Sequence, residues 1–344
     1  MKPILNLSRS LLVEMIFLTA RHGNQEDFQQ HLQVLKEMIP SKDVLMDTCA
    51  FDQNGRSLIL DAIHGDNVVI FDDTLALNRL RVNSFIELDS DDSESDASGG
   101  EDESVGENGL KHFSGRPRRH SSSDDEDDML PLCEKLMRKA NHQGEPLPRR
   151  YSLGTKLLRY AISKSATSIV EHLIRSHGVR DEISDGFQSA LHLAVEGGHE
   201  NLIDLLLIEG GSRIDARDHH QATPLILAVK HNHIRIAKKL INSFGADLSL
   251  TDARNRNAVS YAVQNDSMEL LMLIAERCGE MDCFRRFLLV PEKNSLNTAL
   301  HFCASQSVLM FFVFDCSLDM NEPANINGRT PMQLYNSLMI RDEK

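Results

Sequence analysis

His192 and His301 each stand fourth in a short polar-apolar segment, SALH at 189–192 and TALH at 298–301. A lone imidazole in such a place can act as a general base, ligate a metal or simply form hydrogen bonds. Asp218, His219 and His220 are adjacent and have the donor types of a zinc site, but no second ligand pair follows at zinc spacing. Partner contact or solvation is therefore the expected role of this trio. The six cysteines (Cys49, Cys133, Cys278, Cys283, Cys303 and Cys316) include no CxxC pair, and several fall at positions read below as helical core. That usage fits reduced thiols in a cytoplasmic or nuclear chain. The sequence has no GxSxG, no glycine-rich phosphate loop, no HExxH and no carboxylate pair held in a defined pocket. We expect neither an enzyme nor a bound cofactor or metal.

Whatever these residues do depends on what positions them, and the chain repeats itself with a period near 33. Units open at Lys156, Ser189, Thr223, Asn257 and Thr298, and a partial unit opens at Thr330. Two residues into each stand Leu158, Leu191, Leu225, Val259, Leu300 and Met332. Three further on stand Ala161, Ala194, Ala228, Ala262 and Cys303. A large residue followed by a small one at helical spacing is one face of a short helix pressed closely on its neighbour. Triplets such as Ile203, Leu206, Leu207 and Ala237, Leu240, Ile241 then mark a second amphipathic helix. Gly178, Gly210 with Gly211, Gly245 and Gly279 close the units, as left-handed helix ends require.

SALHLAVEGGHENLIDLLLIEGG, TPLILAVKHNHIRIAKKLINSFGADLS, TALHFCASQ and NGRTPMQL resemble ankyrin repeats, whose consensus carries TPLHLA, GH, a leucine pair and GA. The resemblance implies an all-α solenoid of stacked helix pairs, five to seven units long, with hairpin-like loops at right angles. It also implies that His192 and His301 tie adjacent loops by hydrogen bonds. Two departures stand out. The connection from Cys278 to Asn297 has about seven extra residues, and the unit after Thr298 is expected to have a shortened second helix. The segment FDQNGRSLILDAIHGDN resembles one further repeat start, with no evident second helix. Leu11–Ala20 followed by Phe28–Ile39 reads as a capping helix pair. Arg9 and Glu14 interrupt the apolar run of Leu11–Ala20, which has no small-residue cleavage site, so no signal peptide is expected.

The layout expected is a helical, degenerate ankyrin-like unit over 1–86, an acidic Ser-rich linker over 87–150 and the array over 151–344. Between Glu87 and Asp128 stand 15 acidic and 4 basic residues, a balance of −11 within a formal net charge of −14, so the rest of the chain is close to neutral. With few large apolar residues this segment cannot offset the entropy of ordering, and it is expected to be disordered. Nucleic acid is not an expected partner, because no cluster of Lys and Arg supplies a footprint. No run reaches the roughly 20 apolar residues of a membrane span. Ser93, Ser121, Ser122 and Ser123 each precede an acid by three residues, and Ser121 and Ser152 follow paired arginines. All five are candidate phosphorylation sites, where each phosphate adds up to about two negative charges.

Stacked repeats use their helices for packing and leave the loop tips as a surface. Arg217, His219, His220, Arg254 and Arg256 make the tips at 213–220 and 247–256 locally basic. They are the candidate contacts for an acidic protein partner or for the chain's own acidic segment, the alternative being a solvated surface. We expect a monomer that binds protein partners through loop tips and concave face. NGRSLILDAIHGDN, NTALHFCAS and NINGRTPMQLYNSL are also similar to repeats of the Fem family, substrate receptors of cullin-RING ubiquitin ligases. That likeness implies selection of a protein substrate and contact with cullin-RING components. A regulator of a transcription factor resembling the NF-kappa-B inhibitors, and a general signalling scaffold, are the alternatives.

Overall fold

The computed structural model describes residues 9–39, 41, 45, 50, 57–77, 85–87, 150–181 and 188–342. Among them the chain forms helix pairs in series: α1 (Arg9–Arg21) with α2 (Gln25–Met38), α3 (Leu58–His64) with α4 (Val68–Leu77), and α5 (Leu153–Ser163) with α6 (Thr167–Arg175). Then follow α7 (Ala190–Glu196) with α8 (Glu200–Ile208), α9 (Pro224–Lys230) with α10 (Ile234–Asn242), and α11 (Ala258–Gln264) with α12 (Met268–Cys278). The first helices of the pairs pack in one row, α1 on α3 on α5 on α7 on α9 on α11, and the second helices form a row behind them.

The small residues expected at the helix contacts explain the close stacking. Ala62, Ala161, Ala194, Ala228 and Ala262 are all fully buried, as are Ile59, Leu158, Leu191 and Val259 three residues before the alanines. Each of α7, α9 and α11 is only seven residues long, about two turns, and marginal by itself. It is fixed at its start by a cap: Ser189, Thr223 and Asn257 accept hydrogen bonds from the backbone N–H three residues on, and Pro224 occupies the first helical position of α9. One apolar core runs from Leu12 in α1 to Tyr335 near the C-terminal end, so the N-terminal unit stacks on the array. Asp66, in the turn between α3 and α4, accepts hydrogen bonds from the N–H groups of Ser168 (3.3 Å) and Ile169 (3.1 Å) at the start of α6. The second helix that the sequence did not reveal after Ile63 is α4. It is apolar on most of its surface, and therefore shows no clear 3.6-residue stripe.

Three further features differ from the sequence reading. Helix α5 starts at Leu153, capped by Ser152, so the Lys156 taken as the start of a unit lies inside the helix. Lys156 is buried, and burial followed by the neighbouring Arg159 pushes its pKa down to about 8. The extra residues after Cys278 form a short helix, α13 (Met281–Leu288), which buries Phe284 and Leu288. In the next unit the first helix is reduced to a 3₁₀ turn (Ala299–Phe302), while the second, α14 (Gln306–Met310), continues through a π turn to Asp315. The terminal α15 (Pro331–Asp342) packs on the 3₁₀ turn.

Among the described residues the fold is all-α apart from one antiparallel pairing of three residues, β1 (Phe85–Glu87) with β2 (Arg150–Ser152). Glu87 and Arg150, expected inside the disordered segment, are thus its paired ends. Residues 88–149, which carry Ser93, Ser121, Ser122, Ser123 and the predicted disorder, lie outside the described residues. No described helix is long and apolar enough to cross a membrane.

Candidate functional site

The loops between repeats are built from one recurring device. The side chain of Asp218 accepts hydrogen bonds from the N–H groups of His220 (2.8 Å) and Ala222 (2.7 Å). Asp252 does the same with Arg254 and Arg256 (2.9 Å each), and Asn325 with Asn327 and Arg329 (3.0 Å each). An Asx side chain that bonds its own backbone two and four residues on folds a tight hairpin without a partner strand. Gln221, Asn255 and Gly328 hold the left-handed position of these hairpins, and Leu296 holds that of the hairpin at 292–297. Successive tips are joined by main-chain hydrogen bonds, Ala253 N–H to His220 carbonyl (2.8 Å), Lys293 to Arg254 (3.0 Å) and Ile326 to Ser295 (2.9 Å). The result is a continuous ridge.

His192 and His301 belong to this frame. The Nδ1 of His192 accepts from the Ser189 N–H (3.1 Å), and its Nε2–H donates across to the Ala222 carbonyl of the next loop (3.1 Å). His301 repeats the arrangement with Thr298 (3.0 Å) and Arg329 (3.2 Å). Both rings are buried, and burial lowers both pKa values below the ordinary histidine range. They therefore tie loops, as the repeat resemblance implied. A base whose folded pKa lies below its unfolded value of about 6.5 leaves the unfolded state holding more protons as the pH falls. Stability is then complete above about pH 7 and declines as pH drops through 6.5, by up to about 1.4 kcal/mol per pH unit for each such imidazole. Urea unfolding at pH 7.5 and 5.5 checks this, and a His192→Gln variant is expected to lose part of the difference.

The five expected contact residues take different places. His219, His220 and Arg254 are exposed at the tips, with the two imidazole rings 3.9 Å apart. Arg217 is half-buried and directs Nη1 toward the Thr251 carbonyl of the next loop at 3.4 Å. Arg256 is drawn inward. Its guanidinium bonds the Glu292 carboxylate (Nε to Oε1 2.8 Å), lies 5.0 Å over the Phe302 ring and 5.7 Å over the Tyr261 ring, and is only 14% exposed. Burial disfavours the Glu292 carboxylate, but hydrogen bonds from Ser295 and Arg256 outweigh it and hold the pKa below the usual range. The Tyr261 hydroxyl donates to Asp252 at 2.6 Å, and burial with that bond pushes its pKa up to about 12. Arg256 thus joins two repeats. Ser152, the one phosphorylation candidate among the described residues, is half-buried and uses its Oγ to accept from the Thr155 N–H (3.1 Å).

Between the ridge and the first helices lies a groove of about 350 Å³. One wall is the tips at 218–222 and 252–256; the other is α9 and α11, presenting Ile226, Leu227, Lys230, Tyr261 and Gln264, with Asn265 at the end. Its acids, Asp218 and Asp252, are buried and bound to backbone, whereas Lys230 and Arg254 expose cationic side chains along it, with the imidazole of His220 exposed beside them. The sequence reading missed Lys230, which ends a helix taken as core, and Gln264, which ends the next.

Residues 157–252 and 225–311 match the family model for ankyrin repeats in three copies. An ankyrin repeat protein of Rickettsia bellii is 29% identical over 144 residues, covering 36% of this chain and 60% of that protein. The 26S proteasome regulatory subunit p28 of Saccharomyces cerevisiae is 32% identical over 111 residues, covering 32% of this chain and 48% of that one. The chain thus spans about half the length of these curated relatives. The crystal structure of the human ASB11 ankyrin repeat domain aligns with a TM-score of 0.50 at 16% identity, over 85% of this chain and 92% of that chain, which shows a shared fold. Residues 157–311 therefore belong to the ankyrin-repeat family, whose domains typically act as protein–protein interaction modules.

Proposed function

We propose that this protein is a binding module rather than an enzyme, and that its groove between ridge and first helices takes an acidic, extended segment of a protein partner. One observation carries the reading. The acids lining the groove are spent on holding hairpins, while His220, Lys230 and Arg254 remain exposed along it. A cleft lined by exposed charge of one sign raises the local concentration of an oppositely charged partner. The amides of Gln264 and Asn265 supply hydrogen-bonding capacity for a peptide backbone. Because the scaffold is already rigid, little conformational entropy is lost on binding.

The test is affinity capture with the full chain against a Lys230→Glu/Arg254→Glu variant whose unfolding midpoint is checked to be unchanged. Both residues are exposed, so the midpoint is expected to move little. A partner retained by the wild type and lost by the variant supports the groove; identical retention rejects it. The identity of that partner also separates the narrower roles. Cullin and elongin subunits would fit the substrate-receptor role implied by the Fem resemblance, and a transcription factor would fit the inhibitor-like alternative.

A further inference from the structure

Asp72, His172 and His177 converge at the back of the array, where α4 meets the end of α6. His172 Nε2 lies 2.8 Å from Asp72 Oδ1, and His177 Nε2 lies 3.5 Å from the same oxygen. The ligand atoms of all three lie within 4.8 Å of one another. The two imidazole planes are nearly perpendicular, at 87° with centroids 5.0 Å apart, so both rings can direct a nitrogen at one point. His177 Nε2 is itself buried, although its ring is partly exposed. Asp66 and Asp73, the neighbouring acids, are engaged elsewhere, with the start of α6 and with Gln29.

We infer that these three side chains form a binding site for a divalent transition-metal ion of the zinc class, linking the α3–α4 repeat to the α5–α6 repeat. In tetrahedral coordination with bonds of about 2.0–2.1 Å, adjacent donor atoms stand roughly 3.3 Å apart. The observed 2.8 and 3.5 Å bracket that spacing for the two oxygen–nitrogen pairs, and the remaining pair lies within 4.8 Å, so side-chain rotation closes the set around the ion. Two imidazoles and one carboxylate are borderline donors that favour zinc over calcium or magnesium, which take oxygen ligands. All three side chains are at least partly exposed, which leaves the fourth position to water. Asp72 is about 100 residues from His172, so the site exists only when the two repeats are docked, and metal binding reports on that docking.

The experiment titrates the chelator-treated full chain with Zn²⁺ by calorimetry and with Co²⁺ by absorption, in wild type, His177→Asn, Asp72→Asn and a His219→Ala/His220→Ala control. One equivalent is expected in wild type and in the control. Affinity in His177→Asn and Asp72→Asn is expected to fall by at least about a hundredfold, since even outer-shell losses cost 10–100-fold. The thermal midpoint is expected to rise with Zn²⁺ in wild type and to stay fixed in His177→Asn, and the metal-free midpoints of the two should be close. No binding by wild type, equal binding by His177→Asn, or loss of the equivalent only in the His219/His220 control overturns the site.

Discussion

Gly65→Ala is expected to release the N-terminal helix pair α1–α2 from the array while leaving α7–α12 folded. Gly65 has ordinary right-handed backbone angles (φ −75°, ψ −9°), so alanine brings no dihedral strain. It brings a collision instead. A Cβ there would stand 2.2 Å from the Ala20 carbonyl oxygen and 2.8 Å from the Gly23 nitrogen. Both atoms belong to the turn that ends α1, where Gly23 N–H bonds the Ala20 carbonyl and Gly23 is itself left-handed (φ +66°). Backbone cannot rotate aside as a side chain can, so the usual overpacking cost of 1–3 kcal/mol is a lower bound, and about 3 kcal/mol or more is expected. Solenoid repeats touch only their neighbours, so the loss stays local. Hydrogen exchange should show amides around Ile16, Phe17, Phe28 and Leu35 losing protection, with those of α9 unchanged. Gly245→Ala, at a left-handed site with open space around it, is the control and should cost only about 1–2 kcal/mol. Full protection of α1 in Gly65→Ala would show that the turns do not meet as closely as this.

Arg256→Ala should cost about 2–4 kcal/mol. It leaves Glu292, whose side chain is 12% exposed, without its guanidinium and removes the cation from the Tyr261 and Phe302 rings. Losing one partner of a buried pair typically costs 3–5 kcal/mol, and partial exposure here trims that. Because the folded pKa of Glu292 lies below its unfolded value near 4.5, the pair contributes in full above that pH and fades as pH falls through the folded pKa. A double-mutant cycle with Glu292→Ala, read from urea midpoints at pH 7, is expected to show a coupling of at least about 1 kcal/mol. Additive effects would mean that the pair is only a surface contact.

This last residue shows how far the sequence could be read. Spacing alone located Leu191, Ala194, Leu225 and Ala228, because a repeat must bury the same positions each time. The same logic placed Arg256 on an exposed basic ridge, since nothing local distinguishes it from Arg254 two residues earlier. What distinguishes them is Glu292, 36 residues away, reached only when the next hairpin stacks. Lys230 was hidden in the opposite sense: at the end of a short helix read as core, it projects into the groove. Asp72 with His172 and His177 was invisible for the same reason as Glu292, its partners being a repeat away. Elements whose pattern is local were legible, including the α1–α2 pair. The second helix after Ile63, the extra helix at 281–288 and the early start of α5 were not, because uniform hydrophobicity, an insertion outside the period and a cap at Ser152 each break the template.

The most direct measurement is the binding isotherm of the captured partner's acidic segment on the full chain, for wild type and Lys230→Glu/Arg254→Glu, at low and high salt. If the groove is the site, wild-type affinity falls with ionic strength, and the variant binds at least about tenfold more weakly at low salt with an unchanged unfolding midpoint. Equal affinity for wild type and variant at both salt concentrations would contradict recognition by this groove.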